Sequence, residues 1–208
     1  MKQKWVCKMK DKNFPNKLTM MRIILSVVVL FILLFPWEMV NVSFKRYLIN
    51  GTVILDIKYV IAGVLFVIAS VTDFFDGYLA RKYNLVSDFG KVMDAIADKI
   101  LVNGLLIVLC ANGSIHPVIP VVIILRDTIV NTIKMVAGNN GDVVGAIKTG
   151  KFKTACLMIG LTLKLFGNFP MGLINIALDD FFLITATVLS VVSGVQYYMM
   201  YRKYLKKN

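Results

Sequence analysis

Apolar residues in this chain come in long runs. Windows of about 19 residues pick out runs near Leu18 to Trp37, Val53 to Leu79, Ala95 to Cys110, Pro117 to Ala137, Thr154 to Phe166 and Ile176 to Met200. Most approach the roughly 20 residues that a helix needs to cross a hydrocarbon core. The third and fifth are shorter or interrupted by polar residues, so hydropathy alone also admits five spans. The pattern predicts an all-α integral membrane protein of six transmembrane helices. Its expected organisation is a basic interfacial segment over 1–17, a six-helix domain over 18–200 and a basic tail over 201–208.

Composition and charge sharpen this picture. Of 208 residues, 58% are apolar and only 17% charged, with a mean hydropathy of +0.73, whereas soluble domains carry about 25% charged residues. An ordinary cytosolic globule and a disordered chain are both excluded. Lys and Arg outnumber Asp and Glu by 24 to 12, and their distribution follows the rule that short basic loops stay cytoplasmic. Lys2, Lys4, Lys8, Lys10, Lys12, Lys17 and Arg22 open the chain; Arg202, Lys203, Lys206 and Lys207 close it. Both termini are therefore expected inside, which favours an even number of spans. Arg81, Lys82, Lys91, Lys148, Lys151 and Lys153 also fall inside, leaving Lys45, Arg46, Lys58 and Lys164 outside. The first helix is read as uncleaved, since no small-x-small site follows Trp37. The basic lead-in, with Trp5 and Phe14, suits anionic membrane lipid.

Several chemistries drop out. Cys7, Cys110 and Cys156 are odd in number and widely spaced, so they support neither a disulfide framework nor a thiolate metal site, and a lone His116 supports no zinc or haem centre. Gly145 to Lys151 has the spacing of a phosphate-binding loop, but Phe152 follows where a hydroxyl is needed. The bases are distributed as membrane flanks and do not interleave with exposed aromatics, so nucleic acid is not an expected partner.

The acids are scarce, and four of the twelve, Asp73, Asp76, Asp94 and Asp98, lie within 26 residues at the ends of two apolar runs. A charge at the bilayer centre costs on the order of 3 kcal/mol even on a lenient scale, so these groups need compensation. At about 100° per residue, Asp73, Asp76, Gly77, Ala80 and Arg81 fall within an arc of about 140°. Gly90, Asp94 and Asp98 recur every four residues and form a single column on the next helix. Carboxylates at this density need divalent cations or strong pKa shifts. Oxygen donors without His or Cys suit Mg²⁺, Mn²⁺ or Ca²⁺ over zinc. A pair of such ions about 4 Å apart is a recurrent device for in-line displacement at phosphorus, which points to phosphoryl or phosphatidyl transfer. Gly77 and Ala80 leave a notch beside the acids, and Arg81 offers a planar fork for phosphate oxygens.

The complete spacing, Asp73-x2-Asp76-Gly77-x2-Ala80-Arg81-x8-Gly90-x3-Asp94-x3-Asp98, resembles the signature of the CDP-alcohol phosphatidyltransferase family. That resemblance implies a six-helix membrane enzyme, open to the cytoplasm, which exchanges CMP on a CDP-linked lipid for an alcohol. It implies that Asp73, Asp76 and Asp94 hold two Mg²⁺ or Mn²⁺ ions and that Asp98 contacts the second ion and acts as general base. Gly77, Ala80 and Arg81 would receive the cytidine diphosphate. A homodimer is implied as well.

Three segments resemble the branch of that family joining CDP-diacylglycerol to glycerol 3-phosphate. They are Pro15-Asn16-Lys17-Leu18-Thr19 with Arg22, the stretch from Thr72 to Val86, and Gly150-Lys151-Phe152-Lys153-Thr154. Thr19 is carried over as a CDP-lipid contact. A phosphorylated acceptor needs further cations, for which Arg126, Lys151 and Lys153 are the candidates; Asp127 is also placed to pair with Arg126. Two departures bear on the acceptor. Asp94-Ala95-Ile96-Ala97-Asp98-Lys99 stands where the branch has Asp-Pro-Leu-Ala-Asp-Lys, and Arg126-Asp127 with Lys134 stands where it has Arg-Glu with Arg. Serine, inositol phosphate or phosphatidylglycerol remain alternative acceptors. A divalent-cation transporter is the rival from another class, although Glu38, Asp56, Asp179 and Asp180 form no continuous acidic path to the outer side.

Overall fold

The computed structural model describes residues 14–42, 44–49, 53–82, 88–139, 145, 147–174 and 176–205. Side chains are described at the same positions except 14–18, 49, 53–54, 74–82, 88–92, 94–95, 139 and 203–205. Among the described residues there are six α-helices: α1 Phe14–Leu34, α2 Ile57–Lys82, α3 Asp88–Ala111, α4 Val118–Asn139, α5 Lys148–Leu165 and α6 Leu178–Leu205. The expected all-α class is observed. Helix α3 starts well before its apolar run at Ala95, and α5 before Thr154, because backbone hydrogen bonding continues into polar turns that a hydropathy window does not register. One described helix, Leu178–Arg202, is long and apolar enough to cross a membrane, and Thr19–Leu34 is a shorter apolar helix. The basic segment expected over 1–17 lies largely outside the described residues, as does the end of the tail.

A feature not foreseen is a two-stranded sheet of β1 Arg46–Ile49 and β2 Val53–Asp56 between α1 and α2. Aromatic and β-branched residues flank Asn50-Gly51, the dipeptide most favoured for a hairpin. Arg46 Nε donates to Asp56 Oδ2 at 3.1 Å, while Asp56 Oδ1 accepts the Lys58 backbone N–H at 2.9 Å and caps α2.

The chain divides into two compact units, Met1–Tyr47 with Ile54–Val108 and Leu48–Val53 with Leu109–Asn208. In the first, α1 packs on α2. The buried positions of α1 are Thr19, Arg22, Ser26, Val29 and Leu33, and those of α2 include Ala62, Phe66 and Ala69. Both sets follow the three-and-four spacing of one helical face. Gly104 of α3 brings its backbone close to α1: a Cβ there would lie 2.7 Å from Leu30 Cδ1.

In the second unit, α6 packs on both α4 and α5. Its buried stripe is Asp179, Leu183, Ala186, Ser190, Ser193 and Tyr197. Helix α4 buries Ile119, Ile123, Val130, Ile133 and Ala137, and α5 buries Lys153, Leu157, Gly160, Leu161 and Leu165. Helix α5 ends on Gly167 at φ 63°. The Gly167 N–H donates to the Lys164 carbonyl at 3.1 Å and the Asn168 N–H to Leu163 at 2.7 Å, closing a Schellman cap. Lys164, in this last turn, bonds Asp179 at 2.9 Å and Asp180 at 2.7 Å at the start of α6. A base expected on the outer side is thus neutralised by two acids, which also suit the positive end of the α6 dipole.

Gly160 allows α5 and α6 to approach. A Cβ there would meet Leu183 Cγ at 3.0 Å and its backbone nitrogen at 3.2 Å, and the backbone atom cannot rotate away. Gly160→Val is expected to destabilise the protein by about 1–3 kcal/mol, measured as a lower thermal unfolding midpoint in detergent. An unchanged midpoint would contradict the close packing.

Candidate active site

In unit one, helices α2 and α3 run without interruption through the carboxylate segments. Asp73, Asp76, Gly77, Ala80 and Arg81 therefore occupy successive turns of one helix face, and Gly90, Asp94 and Asp98 recur along another. The side chains of Asp76, Gly77, Ala80, Arg81 and Asp94 lie outside the described ones, so geometry is available for Asp73 and Asp98. Asp73 continues the spacing of Ala62, Phe66 and Ala69, at the point where the apolar stripe becomes polar. It forms an ion pair with Arg22 of α1, whose own side chain is 2% exposed. Arg22 and Thr19 prolong the buried face of α1, and Ser26 Oγ donates to the Arg22 carbonyl at 2.8 Å. Asp98 is exposed, one position after fully buried Ala97. Among the described residues, which do not include the Asp76 and Asp94 side chains, no three acids, His or Cys form a metal-sized cluster.

Unit two contains a built cluster of charge. Arg126 continues the spacing of Ile119, Ile123, Val130 and Ile133, so a guanidinium interrupts an apolar stripe. Its Nη1 donates to Asp127 Oδ1 at 2.9 Å and its Nη2 to Ser193 Oγ of α6 at 2.8 Å. Asp127 also accepts from Lys153 Nζ of α5, at 2.8 Å to each carboxylate oxygen. Lys153 is buried and Lys151 is exposed. Residues two apart on a helix diverge by about 200°, so of the two lysines Lys153 joins the described cluster. Arg126 Nε is buried and has no hydrogen-bond partner among the described residues.

Helix α6 shapes this cluster, and sequence reasoning had assigned it no part. Gly194 makes room for the Arg126 stem, since a Cβ there would lie 3.1 Å from Arg126 Cγ. The Tyr197 ring lies under two cations of α4, 5.6 Å from Arg126 Cζ and 5.1 Å from Lys134 Nζ. The Tyr197 hydroxyl donates to the Gly145 carbonyl at 3.1 Å and accepts the Ile147 N–H at 3.2 Å. Thr149 Oγ1 donates to Gln196 Oε1 at 2.5 Å. The available signal was the polar series Ser190, Ser193 and Tyr197 at helical spacing in an otherwise apolar run. Lys134, in place of the arginine usual in the resembling branch, keeps a cation in this group.

Comparison with known proteins bears directly on these segments. The family profile described as CDP-alcohol phosphatidyltransferase matches residues 12–195, which include both carboxylate segments and the Arg126–Lys153 cluster. The CDP-diacylglycerol--glycerol-3-phosphate 3-phosphatidyltransferase of Bacillus subtilis (strain 168) is 36% identical over 186 residues, covering 89% of this chain and 93% of that protein. The protein of the same name from Rickettsia felis is 34% identical over 195 residues, 93% of this chain and 98% of its own length. Its namesake from Mycoplasma pneumoniae is 37% identical over 156 residues, 75% of this chain and 69% of its own length. With the family signature carried on two unbroken helices and the match extending over most of the sequence, this chain belongs to the CDP-alcohol phosphatidyltransferase family.

Proposed function

We propose that the protein transfers the phosphatidyl group of CDP-diacylglycerol to sn-glycerol 3-phosphate, forming phosphatidylglycerol phosphate and releasing CMP. The observation that carries the reaction class is the full set of acids from Asp73 to Asp98 on two continuous helices. The names of the related proteins support the acceptor. Family membership and the lack of a continuous acidic path argue against a cation transporter.

The enzyme acts from six membrane spans with both termini and the active site on the cytoplasmic side. Helices of 18 to 28 residues are about 27–42 Å long, against a hydrocarbon core of about 30 Å. Their outward faces are apolar: Val27 and Phe31 on α1, Val64 and Ile68 on α2, Leu125 and Ile129 on α4, and Ile184 and Val188 on α6 are all exposed. A water-facing surface of this character would be unusual. The basic ends support that orientation. The homodimer rests on the family resemblance.

The acids present an oxygen-only donor set, which fits hard divalent cations. Asp73, Asp76, Asp94 and Asp98 would hold two Mg²⁺ or Mn²⁺ ions, which when bound neutralise the diphosphate and acidify an acceptor hydroxyl. Arg22 gives Asp73 a fixed partner. Gly77 and Ala80 admit the cytidine diphosphate, Arg81 binds its phosphate oxygens, and Thr19 contacts the CDP-lipid. Arg126 and Lys153 receive the phosphate of the acceptor, with Lys151 available nearby in sequence. Asp98 takes the proton of the acceptor hydroxyl; the acceptor oxygen bonds to the lipid-linked phosphorus as the bond from that phosphorus to the CMP oxygen breaks.

Purified protein given CDP-diacylglycerol with glycerol 3-phosphate, serine, inositol phosphate or phosphatidylglycerol in turn is expected to release CMP with glycerol 3-phosphate. A response to serine alone would overturn the acceptor and leave the class intact. Asp98→Asn is expected to lower CMP release by about 10²-fold or more while CDP-diacylglycerol binding persists; normal turnover would exclude Asp98 as the base. Lys153→Met is expected to raise KM for glycerol 3-phosphate by about tenfold with KM for CDP-diacylglycerol unchanged. A reverse pattern would move Lys153 to the nucleotide.

A further inference from the structure

We propose that Tyr197 is a positioning residue for the acceptor, setting the cations of α4 and tying them to the connection that leads into α5. The proposal rests on the acceptor reading of Arg126 and Lys153. Tyr197 is 2% exposed, so its contacts are made inside unit two, where electrostatic interactions are poorly screened.

Its ring and its hydroxyl do different things. The ring lies 5.6 Å from Arg126 Cζ and 5.1 Å from Lys134 Nζ, within the range of cation–π attraction. Arg126 and Lys134 are about two turns apart on α4. A shared aromatic partner holds two like charges near one another without neutralising either, as a second carboxylate would. That state suits the capture of a doubly charged phosphate. Asp127 is already engaged by Arg126 and by Lys153 at both oxygens, so its one negative charge is shared between two cations. The hydroxyl bonds the Gly145 carbonyl and the Ile147 N–H, fixing the backbone just before Lys148, where α5 begins and leads to Lys153. One side chain of α6 therefore sets both the α4 cations and the approach to the α5 cation. Neighbouring positions reinforce the arrangement: Ser193 accepts from Arg126 Nη2, and Gln196 accepts from Thr149.

The test uses the full-length protein in detergent–lipid micelles, measuring KM for both substrates, kcat and unfolding midpoint. Tyr197→Phe keeps the ring and removes the tie to Gly145 and Ile147; it is expected to raise KM for glycerol 3-phosphate about threefold. Tyr197→Leu removes both functions and is expected to raise it about tenfold, with KM for CDP-diacylglycerol unchanged. Progressively fluorinated phenylalanines at 197 keep the shape and weaken the ring's negative face. KM for glycerol 3-phosphate should rise stepwise along that series, whether or not Tyr197→Leu folds. A KM that stays constant along the series, or equal changes in both KM values, would overturn the proposal. Arg126→Ala is measured in parallel. If it too leaves KM for glycerol 3-phosphate unchanged, the acceptor reading itself fails; if it raises that KM while the series stays flat, only the role of Tyr197 fails.

Discussion

Lys153 places an ammonium group in the interior of unit two with its side chain 4% exposed, and Asp127 meets it with both carboxylate oxygens at 2.8 Å. Removing one partner of a buried ion pair typically costs about 3–5 kcal/mol, because the other charge is left without compensation. The pair therefore constrains the register of α4 against α5, since sliding either helix by a turn would separate the two groups by about 5 Å. Arg126 inherits its place from that register, being bonded to the same carboxylate and to Ser193 of α6. The polar end of unit two is consequently a three-helix arrangement anchored on one acid.

The same logic operates in unit one with opposite emphasis. There the apolar stripes of α1 and α2 run into Arg22 and Asp73, which pair. The packing behind this pair holds Arg22, 2% exposed, while the Asp73 side chain keeps 41% of its surface exposed. In the proposed reaction, stability and chemistry would share these positions for a physical reason: a poorly hydrated charge is expensive to keep, and the same poor hydration would strengthen its interaction with a substrate phosphate. Lys164 with Asp179 and Asp180 is the contrasting case. A base is paired there with two acids at a helix junction, so the acids outweigh the base.

Small residues determine how closely the helices come together around these charges. Gly160 lets α5 reach the Leu183 backbone of α6, Gly104 accommodates Leu30 of α1, and Gly194 accommodates the stem of Arg126. In a setting where apolar surface facing lipid gains little by association, such close contacts and interhelical hydrogen bonds supply much of the specificity. Gly194 extends this role to the Arg126 cluster, since a larger residue there would displace Arg126.

The sequence by itself determined the helical class, the six apolar segments and the acids of the family signature. These depend on hydropathy and on spacing along a single helix, both local properties. It also offered Arg126, Lys151 and Lys153 as acceptor candidates, through charge set in apolar surroundings and through resemblance. It did not separate Lys151 from Lys153, because both are basic residues at the start of α5 and only the packing of that helix buries one and exposes the other. It missed the β1–β2 pairing, a short-range contact overshadowed by the long apolar runs on either side. Only the tertiary structure decided that Asp127 bridges α4 and α5, that Lys164 is neutralised by α6, and that Ser193, Gly194 and Tyr197 shape the Arg126 cluster. The physical reason is that each of these is a pairing between residues on different helices, which no spacing within a single helix encodes. An isolated Tyr or Ser in an apolar run carries no mark of the charge it will meet.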